Sequence, residues 1–494
     1  MEFIREKQRE IPVIARPDVL VVGAGPSGLG AAIAAAKNGA HTMLIEKYGF
    51  PGGNLTTSMV NPIFTFHDIN GRQVIRGIAG EIVEQMIASK ASIGHVTDLT
   101  FDNASMTPFD PERTKVILFD MLEEAGVDLL FHTLVTDAEV KDGIIEYVVI
   151  ENKSGRQAIC PKYIIDCSGD ADVAAFSNVP FTKGREEDGA MQPATLYFRV
   201  GNIDNTELRK WMKNNRNLLK DNPTDEEIDS QKAIAFLGLH ELVDKAIADG
   251  DLDSEVAPRI LMYELPNNQF SVNSTRLQNV DATNAKDLTQ AEILLRKQVL
   301  QVHDFLKKKI GGFAQSNIID TGIQVGTRES RHIKGDYILT EDDILQGTTF
   351  NDGIACGTFA IDIHPPKGKQ QIFTGSGRVV YEVPYRCLLP KGIDNLLVAG
   401  KTISATHTAF GSIRVMATCI ATGEGAGTAA ALLNRKKQLT REIDIAILKK
   451  TLIKNGQYLL NGESEENRDE SLILKRVNGS GEKAAHYNPF KKSK

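Results

Sequence analysis

The chain has 494 residues, a length that predicts about three domain-sized units with a core that needs no disulfides. Its 57 Lys and Arg against 64 Asp and Glu give a net charge of −7, which argues against a nucleic-acid partner because such proteins usually present a basic face. None of the five cysteines forms a CxxC pair, which excludes a dithiol redox motif. The N-terminus has no apolar signal-peptide core, and no run of roughly 18 apolar residues occurs. Both observations predict a cytoplasmic protein without a membrane partner.

The first predicted element is a strand–turn–helix–strand unit within residues 19–47. Val19 to Val22 are apolar enough for a buried parallel strand, and an alanine-rich helix follows. Between them a GxGxxG turn allows a tight bend, close approach of the backbone to a pyrophosphate, and close helix–strand packing. A second strand, Met43 to Ile45, ends at an acid suited to ribose hydroxyls. The unit predicts a dinucleotide site formed by Gly23, Gly25, Pro26, Ser27, Gly28 and Glu46.

The segment after Glu46 indicates which dinucleotide is bound. It reads EKYGFPGGNLTTS and resembles the segment that passes beside FAD in flavoproteins with two dinucleotide domains, whereas NAD dehydrogenases usually continue into a helix. The resemblance implies FAD, with contacts from Lys47, Gly53, Asn54 and Thr56. The chain has one full dinucleotide fingerprint, so a second, tightly held NAD(P)H is not predicted.

Short strands and helices then alternate, which predicts a parallel sheet. Residues Pro111–Ala125 are predicted as a helix, and Val127–Phe131, Ile144–Ile150 and Tyr163–Asp166 as strands. The last of these strands ends in CSGDADVA, which resembles the glycine turn that returns to FAD in these flavoproteins and would place Gly169 at the cofactor. A plain strand exit is the alternative, because so short a string has low specificity.

From residue 181 charge and loops increase, and we expect an inserted domain there. Its clearest element is a helix with Leu295, Val299, Val302 and Leu306 at helical spacing, ended by Gly311-Gly312.

The first domain is predicted to resume with the strand Asn395–Ala399, which ends at Gly400, and the helix Ile413–Leu433. Ala417, Ala421 and Gly425 recur at i, i+4 and i+8 of that helix. Small residues at this spacing permit close approach of either a neighbouring backbone or a flat ligand.

These elements predict an α/β fold in which a doubly wound, Rossmann-like FAD-binding domain is interrupted by an α+β substrate or cap domain. The expected boundaries are 1–180 for the first part of the FAD-binding domain, 181–375 for the insertion, 376–440 for the second part of the FAD-binding domain, and 441–494 for a C-terminal helix and polar tail.

Several strings spread over most of residues 18–435 carry a family resemblance. They are VVGAGPSGLGAA, GGNLT, IIDCSGDADVA, GTRESRHIKGDYILT, IDIHPP, YEVPYRCLLPKGIDNLLVAGKTIS and THTAFGSIRVMATCIATGEGAGTAAAL. Together they resemble the bacterial FAD-dependent oxidoreductases related to the flavin domain of heterodisulfide reductases and to the fumarate reductase/succinate dehydrogenase flavoprotein group. The resemblance implies the fold and FAD but names no substrate.

Three departures from those relatives matter. No histidine follows Gly53, so the FAD is expected to be held non-covalently, unlike the covalent flavin of succinate dehydrogenases. Lys401 follows Gly400 where many relatives carry an acid, so the usual contact to the ribityl chain must differ. The cysteine-rich segments of heterodisulfide reductases are missing, so no iron–sulfur cluster is implied, and no other metal-ligand spacing stands out.

The candidate catalytic residues are His407, Arg414 and Arg328. Gly411 and Ser412 precede the last helix, which is predicted to begin at Ile413. The resemblance implies that this helix start lies beside the flavin, where helix N–H groups and Arg414 would stabilise negative charge. His407 on the preceding loop could act as a base or bind a substrate carbonyl, or it could be a structural histidine. Arg328 could bind an anion, or it could belong to a salt-bridge network with Glu329 and Asp336. His364 and His67 are weaker candidates.

The sequence therefore predicts an FAD-dependent oxidoreductase that acts on a small organic substrate by hydride transfer. The alternative is a flavin protein that relays electrons for a redox partner protein. Such a relay should keep its flavin near the surface and needs no private pocket. An RNA-modifying flavoprotein is disfavoured, because the chain is acidic and has no basic aromatic segment.

Overall fold

A computed structural model describes residues 2–4, 9–101, 103–365, 372–374 and 379–460. The predicted polar tail lies outside these residues. The helices are α1 (Pro26–Lys37), α2 (Ile78–Ala88), α3 (Pro111–Glu124), α4 (Asp172–Phe176), α5 (Asn205–Asn214), α6 (Asp225–Ser230), α7 (His240–Ala248), α8 (Ala285–Lys309), α9 (Glu341–Gln346), α10 (His407–Ile413), α11 (Met416–Lys436) and α12 (Ile445–Lys454).

The strands of the described residues fall into several sheets. They are β1 (Val13–Ala15), β2 (Val19–Val22), β3 (Thr42–Ile45), β4 (Ile63–Phe64), β5 (Val96–Thr97), β6 (Ser105–Thr107), β7 (Asp128–Leu130), β8 (Leu134–Lys141), β9 (Ile144–Asn152), β10 (Gly155–Ile159), β11 (Tyr163–Asp166), β12 (Phe181–Lys183), β13 (Phe198–Gly201), β14 (Ala235–Gly238), β15 (Ile260–Leu265), β16 (Gln269–Val272), β17 (Asn317–Thr321), β18 (Arg331–Ile333), β19 (Gly353–Gly357), β20 (Ile361–Ile363), β21 (Ile372–Thr374), β22 (Tyr381–Pro384) and β23 (Leu396–Val398).

A parallel sheet in the order β23-β11-β2-β3-β7 forms the centre of the first domain. Strand β2 is buried on both faces, as its unbroken apolar run predicts. Val19 and Val21 belong to the core under the helices, whereas Leu20 and Val22 belong to a second core under the sheet β1-β10-β9-β8. The predicted α/β class is confirmed, with an antiparallel meander covering one of the two faces.

Helices α1 and α11 cover the other face and touch through glycines. A Cβ at Gly423 would lie 2.0 Å from the carbonyl oxygen of Ser27, and one at Gly427 would lie 2.1 Å from that of Ala31. Only residues without a side chain fit at these positions. Of the predicted small residues, Ala417 and Ala421 are buried in the core, and Gly425 faces Ile354 of β19.

The prediction of one continuous helix from Ile413 is wrong at its start. The chain forms the short helix α10, leaves helical hydrogen bonding at Arg414 and Val415, and begins α11 at Met416. Val415 is extended at φ −69° and ψ 146°, which ends α10 and turns the chain. Gly411 and Ser412 therefore lie inside α10 and not at the start of the long helix.

A second, antiparallel sheet in the order β14-β15-β16-β13-β17 packs against α8 around its own apolar core. The predicted helix around Leu295 is α8, and Gly312 follows it at φ 89°. This sheet lies within the predicted insertion, whereas Leu339 to Ile363 contribute to the core of the first domain. The exact domain boundaries stay a prediction.

Within the described residues no helix is both long and apolar enough to span a bilayer.

The α1–α11 contact predicts opposite effects for two helical glycine substitutions. Gly427→Ala should destabilise the fold by about 1–3 kcal/mol, because its new Cβ must push two backbones apart. Gly80→Ala in α2 is the matched control. Its Cβ would meet nothing closer than the Gln73 side chain at 3.6 Å, so it should be neutral or stabilising. Urea unfolding measures both, and equal stability of the two variants would refute the role assigned to the contact.

Glu424 of α11 predicts a pH dependence of stability. Its buried carboxylate accepts a hydrogen bond from the Ile78 backbone N–H at the start of α2, and burial raises its pKa from 4.5 to about 8. The folded state binds this proton more tightly, so the group's contribution to stability is lost as pH rises from about 4.5 through about 8. Glu424→Gln keeps an acceptor for Ile78 without the titration. Its melting temperature relative to the unmodified protein should therefore rise over that range.

Met86→Leu in α2 is the control for that experiment, because it changes a buried side chain that does not titrate and nearly keeps its volume. It should show no such pH-dependent gain. Parallel melting curves for Glu424→Gln and the unmodified protein at every pH would contradict the assignment.

Candidate cofactor and substrate site

The GxGxxG turn has the geometry that each glycine was predicted to supply. Gly23 adopts φ 96°, and a Cβ there would lie 2.4 Å from the Cys167 carbonyl oxygen. A Cβ at Gly28 would lie 1.8 Å from the Gly23 carbonyl oxygen, so this glycine packs beneath the turn. At Gly25, by contrast, a Cβ would meet nothing closer than Gly53 Cα at 4.0 Å. The backbone at Gly25 therefore faces open space at the N-terminus of α1, where anionic groups are favoured.

Glu46 closes one end of this space. Its carboxylate is buried, and it accepts hydrogen bonds from the Ala24 backbone N–H at 2.7 Å and the Tyr48 backbone N–H at 3.0 Å. These bonds fix the acid between the glycine turn and the segment after β3. The predicted position of Glu46 at the end of the second strand is confirmed.

A second turn approaches the same space from β11. The buried carboxylate of Asp166 accepts from the Ser168 hydroxyl at 2.7 Å and from the Ala174 backbone N–H at 3.0 Å. Burial raises the pKa of Asp166 to about 6. These bonds hold Ser168 and Gly169 at the cavity wall, as the resemblance of CSGDADVA implied.

Together these turns form a cavity of about 1100 Å³, here called the glycine cleft. The predicted residues that line it are Gly23, Gly25, Pro26, Ser27, Glu46, Lys47, Gly53, Asn54, Gly169 and Arg414. Residues that the sequence did not single out as contacts include Thr57, Thr133, Val135, Ser168, Asp170, Thr327, Lys401, Met416 and Cys419. The hydroxyl of Thr57 is buried there without a hydrogen-bond partner among the described residues. A dinucleotide fits this arrangement, because phosphate donors, a ribose acid and an unpaired hydroxyl line one elongated space.

Other predicted contacts lie outside the cleft lining. Thr56 donates to the Pro51 carbonyl at 2.7 Å, and Gly400 packs against Ser27. Gly411 packs on Asp362 and Ile363, and the Ser412 hydroxyl bonds Tyr381 at 2.7 Å. Ile413 is buried in the core. Gly411, Ser412 and Ile413 do not reach the cleft because the helix breaks at Arg414. Met416, at the start of α11, lines the cleft in their place.

A second cavity of about 880 Å³ adjoins the first and is called the aromatic cavity. It shares five residues with the glycine cleft, namely Asn54, Thr327, Lys401, Arg414 and Met416. Its apolar wall comes from Val60, Pro62, Phe64, Phe101, Leu261 and Phe359, and its polar wall from Tyr197, Arg259, Tyr263, Asn273, Arg328, Asp362 and His364. Elements of both sheets thus enclose one space beside the end of the cleft.

Arg414 and Arg328, two of the three predicted catalytic residues, line this cavity. Arg414 donates from Nη2 to the Asp362 backbone oxygen at 2.9 Å and to its carboxylate at 3.1 Å. Arg328 donates to the Pro193 carbonyl at 2.6 Å and to the Thr195 hydroxyl at 3.1 Å. Burial, with the nearby Arg414 cation, lowers the pKa of Arg328 to about 10. The alternative, a salt-bridge network of Arg328 with Glu329 and Asp336, is not formed, because Glu329 pairs with His332 and His407 and Asp336 pairs with Arg441.

His407, the third predicted catalytic residue, lines neither cavity. Its Nδ1 lies 2.7 Å from Oε1 of Glu329, and His332 lies 3.3 Å from the same oxygen. Burial alone would raise the pKa of Glu329, but the bonds to His332 and His407 outweigh it and lower that pKa to about 2. A catalytic role for His407 stays a prediction; its observed contact is with the loop that carries Arg328.

The weaker candidates separate in the same way. His364 lines the aromatic cavity with its Nε2 at 3.1 Å from the Asp362 carboxylate, and burial lowers its pKa to about 3. His67 is buried outside both cavities, with its Nδ1 at 2.9 Å from the Ser105 hydroxyl. Burial lowers the pKa of His67 to about 4. Both rings are therefore neutral near pH 7.

Comparison with known proteins agrees with this geometry. The model of the family described as "FAD dependent oxidoreductase" matches residues 18–452. The chain belongs to that family. It is an FAD-dependent oxidoreductase, and the predicted cofactor FAD is confirmed. No group of three or more His, Cys, Asp or Glu side chains able to hold a metal occurs among the residues that the structure describes.

Curated relatives include the thiamine thiazole synthases of Methanococcus vannielii and Methanococcus maripaludis. The first is 31% identical over 169 residues, which are 32% of this chain and 58% of that protein. The second is 30% identical over 162 residues, or 31% of this chain and 55% of that protein. The match thus spans little more than half the length of these relatives.

Solved structures with a similar fold include the following two. One is p-nitrophenol 4-monooxygenase from Pseudomonas putida, with a TM-score of 0.44, 11% identity, and coverage of 92% of this chain and 91% of that one. The other is a geranylgeranyl bacteriochlorophyll reductase-like protein from Thermoplasma acidophilum, with a TM-score of 0.40, 13% identity, and coverage of 90% and 81%. At this level the likeness concerns the fold only.

The glycine cleft predicts a graded series at Gly25. Its φ of −72° suits any residue and its Cβ direction is open, so Gly25→Ala and Gly25→Val should both fold. Valine should abolish FAD binding, because its methyl groups fill the pyrophosphate path, and alanine should weaken it. Visible absorbance and FAD titration measure binding, and circular dichroism controls for folding. A yellow, folded Gly25→Val protein would show that the cofactor lies elsewhere.

Proposed function

We propose that this oxidoreductase transfers a hydride between a small organic substrate in the aromatic cavity and a non-covalently held FAD in the glycine cleft. The observation that carries the proposal is the pair of adjoining cavities with five shared lining residues. FAD supplies the two-electron chemistry when bound, and the protein has to position the substrate and set the local charge.

The private cavity favours an enzyme over an electron relay. A relay for a protein partner needs its flavin near the surface and gains nothing from a second cavity beside it. The apolar wall would exclude water from the substrate, and the polar wall would orient it.

The chain's own groups at the junction of the two cavities favour negative charge there. Helix α11 has 21 residues and no side-chain cap at its N-terminus, so its first N–H groups are available where Met416 meets both cavities. Arg414 and Lys401 add two cations at the same place. We propose that these groups stabilise charge that develops during the reaction.

Non-covalent attachment is supported by the chemistry of the cleft lining. Among the described residues no histidine lines the glycine cleft. Burial raises the pKa of Cys419 to about 12 and that of Cys167 still further above its usual range. Both thiols therefore stay protonated at neutral pH and are poor nucleophiles toward the cofactor.

His407 is proposed as a positioning residue. Through Glu329 it ties α10 to the loop that carries Thr327 and Arg328 into the cavities. Glu329 also accepts a hydrogen bond from the Gln192 backbone N–H at 3.0 Å. The finer relation to the flavin domain of heterodisulfide reductases and to the fumarate reductase group is likewise proposed on the motif strings alone.

The proposal predicts that filling the aromatic cavity blocks reduction by small molecules without releasing FAD. Val60→Trp places an indole at the cavity wall, whereas Ile293→Trp puts the same group on the surface of α8, where Ile293 is 47% exposed. Each protein is mixed anaerobically with pools of oxidisable organic compounds while its visible flavin absorbance is followed. Compounds that bleach the unmodified protein and Ile293→Trp should fail with Val60→Trp.

Retained yellow colour in all three proteins shows that FAD remains bound. Equal bleaching of Val60→Trp and Ile293→Trp by the same compounds would contradict a substrate site in this cavity. Bleaching by a reduced electron-carrier protein but by no small molecule would favour the relay.

A further inference from the structure

We propose that the substrate of this oxidoreductase is a carboxylate with a flat, apolar body, and that Arg259 and Arg328 bind its carboxylate. The inference rests on the proposed function, because it concerns the same aromatic cavity. It adds the chemical class of the substrate and the residues that recognise it.

The charge of the cavity wall is the first observation. Among the described residues, four cationic side chains line it, Lys401, Arg259, Arg328 and Arg414. Lys401 lies 3.6 Å from the Asp170 carboxylate of the glycine cleft, and Asp362 is the one carboxylate in the described wall of the aromatic cavity. His364 cannot change this balance near pH 7, because burial keeps its ring neutral. Asp362 already accepts from Arg414 at 3.1 Å. Arg328 donates to two neutral oxygens, so an anionic ligand would compensate its charge, which is otherwise costly in a space of low dielectric constant.

The burial of the arginines is the second observation. Arg259 is only 7% exposed, and burial lowers its pKa and that of Arg328. Arg328 uses Nη1 for the Pro193 carbonyl and the Thr195 hydroxyl, which fixes the plane of its guanidinium. A fixed guanidinium matches a carboxylate in a bidentate manner, and exclusion of water strengthens each bond.

The position of the two arginines within the cavity is the third observation. They stand at the junction with an outer cavity of about 1060 Å³, whose lining includes the exposed residues His240 and Asp244. Arg414 and Lys401 stand at the opposite junction, with the glycine cleft. A substrate bound through its anion at Arg259 and Arg328 therefore has its other end directed toward the cofactor.

Aromatic side chains define what lies between these two junctions. The ring of Phe64 has three aromatic neighbours, Phe101, Tyr263 and Phe359, each with its centroid 5.9 Å away. Leu261 and Pro62 complete this wall. Such a surface favours edge-to-face or stacked contact with a flat apolar group and offers few partners to a sugar or a polyol.

The test uses 2-naphthoate as the probe and the neutral 2-naphthamide as its isostere, with the FAD-loaded protein. Calorimetry measures affinity, and the visible flavin spectrum reports binding beside the cofactor. Naphthoate should bind at least about tenfold more tightly than naphthamide. Arg259→Gln and Arg328→Gln should each lose about 10- to 100-fold in naphthoate affinity and little in naphthamide affinity. Arg328→Lys keeps the positive charge but loses the bidentate guanidinium, so it should retain part of the preference for naphthoate over naphthamide.

Arg441→Gln is the matched control, since this arginine pairs with Asp336 and Asp394 and lines neither cavity. It should bind both probes as the unmodified protein does. Equal affinity of the two probes, or an unaltered preference in both Arg259→Gln and Arg328→Gln, would overturn the inference. Much tighter binding of 2-naphthyl phosphate than of naphthoate would overturn the choice of a carboxylate.

The outcomes also separate this inference from the proposed function. If naphthamide binds as well as naphthoate and both perturb the flavin spectrum, the cavity beside FAD stands and the anion site is rejected. If neither probe perturbs the spectrum of a yellow protein, the proposed substrate cavity itself fails, and the anion site fails with it.

Discussion

The contact between α1 and α11 is the constraint on which the rest of the site depends. Gly423 faces Ser27 and Gly427 faces Ala31, so the two helices run in the same direction with the same register. Because α11 starts at Met416, its N-terminus extends beyond that of α1 by about six residues, or about 9 Å. The N-termini of α1 and α11 therefore both lie at the glycine cleft, about 9 Å apart along the helix direction. The first faces the glycine turn, and the second faces the junction with the aromatic cavity.

Any larger side chain at these glycines would alter that spacing. Helices normally pack with their axes 8–10 Å apart, and contact of a glycine with a backbone carbonyl places them at or below the lower end of that range. The same contact brings Ser27 against Gly400, at the turn that follows β23. The Ser27 side chain and the Gly400 backbone therefore lie in contact where α1 begins.

The second sheet completes the site beside the first domain. Its strand β15 places Leu261 and Tyr263 in the wall of the aromatic cavity, which adjoins the glycine cleft. The loop around Gly326 joins the two parts, because its backbone exchanges hydrogen bonds with Thr195 at 2.7 and 3.0 Å. Thr327 and Arg328 follow directly and reach the junction. An insertion with its own core can vary its inner surface without disturbing the glycine turn.

Most of the cofactor half could be predicted because its determinants are local. The turn between β2 and α1 needs glycines at fixed offsets, and the acid of Glu46 follows its strand directly, so a window of some thirty residues contains the whole pattern. The substrate half depends on contacts between distant segments. Glu329 meets His407 across 78 residues, and Arg259 follows a loop with no recognisable motif. No local pattern distinguishes such residues from ordinary surface charges.

The break between α10 and α11 could not be predicted for the same reason: no local sequence pattern marks it. The stretch from His407 to Lys436 contains no proline, and its four glycines lie inside α10 and α11, not at Arg414 and Val415 where the helix breaks. Tertiary contacts decide the matter. Ser412 is held by Tyr381, Gly411 by the backbone of Asp362, and Arg414 by the Asp362 carbonyl, so α10 is fixed in a direction that α11 cannot continue.

Lys401 is where the two halves of the site meet, and it explains how the chain manages without the acid that many relatives carry after the same strand. Its ammonium group lies 3.6 Å from the Asp170 carboxylate of the second turn and donates to the Thr327 carbonyl at 3.1 Å. One side chain thus links the strand exit at Gly400, the turn after β11 and the loop that carries Arg328. An acid at this position would face Asp170 and the Thr327 carbonyl, and both contacts would become repulsive. The lysine therefore links the loop that carries Arg328 to the turn after β11, a link that an acid could not make.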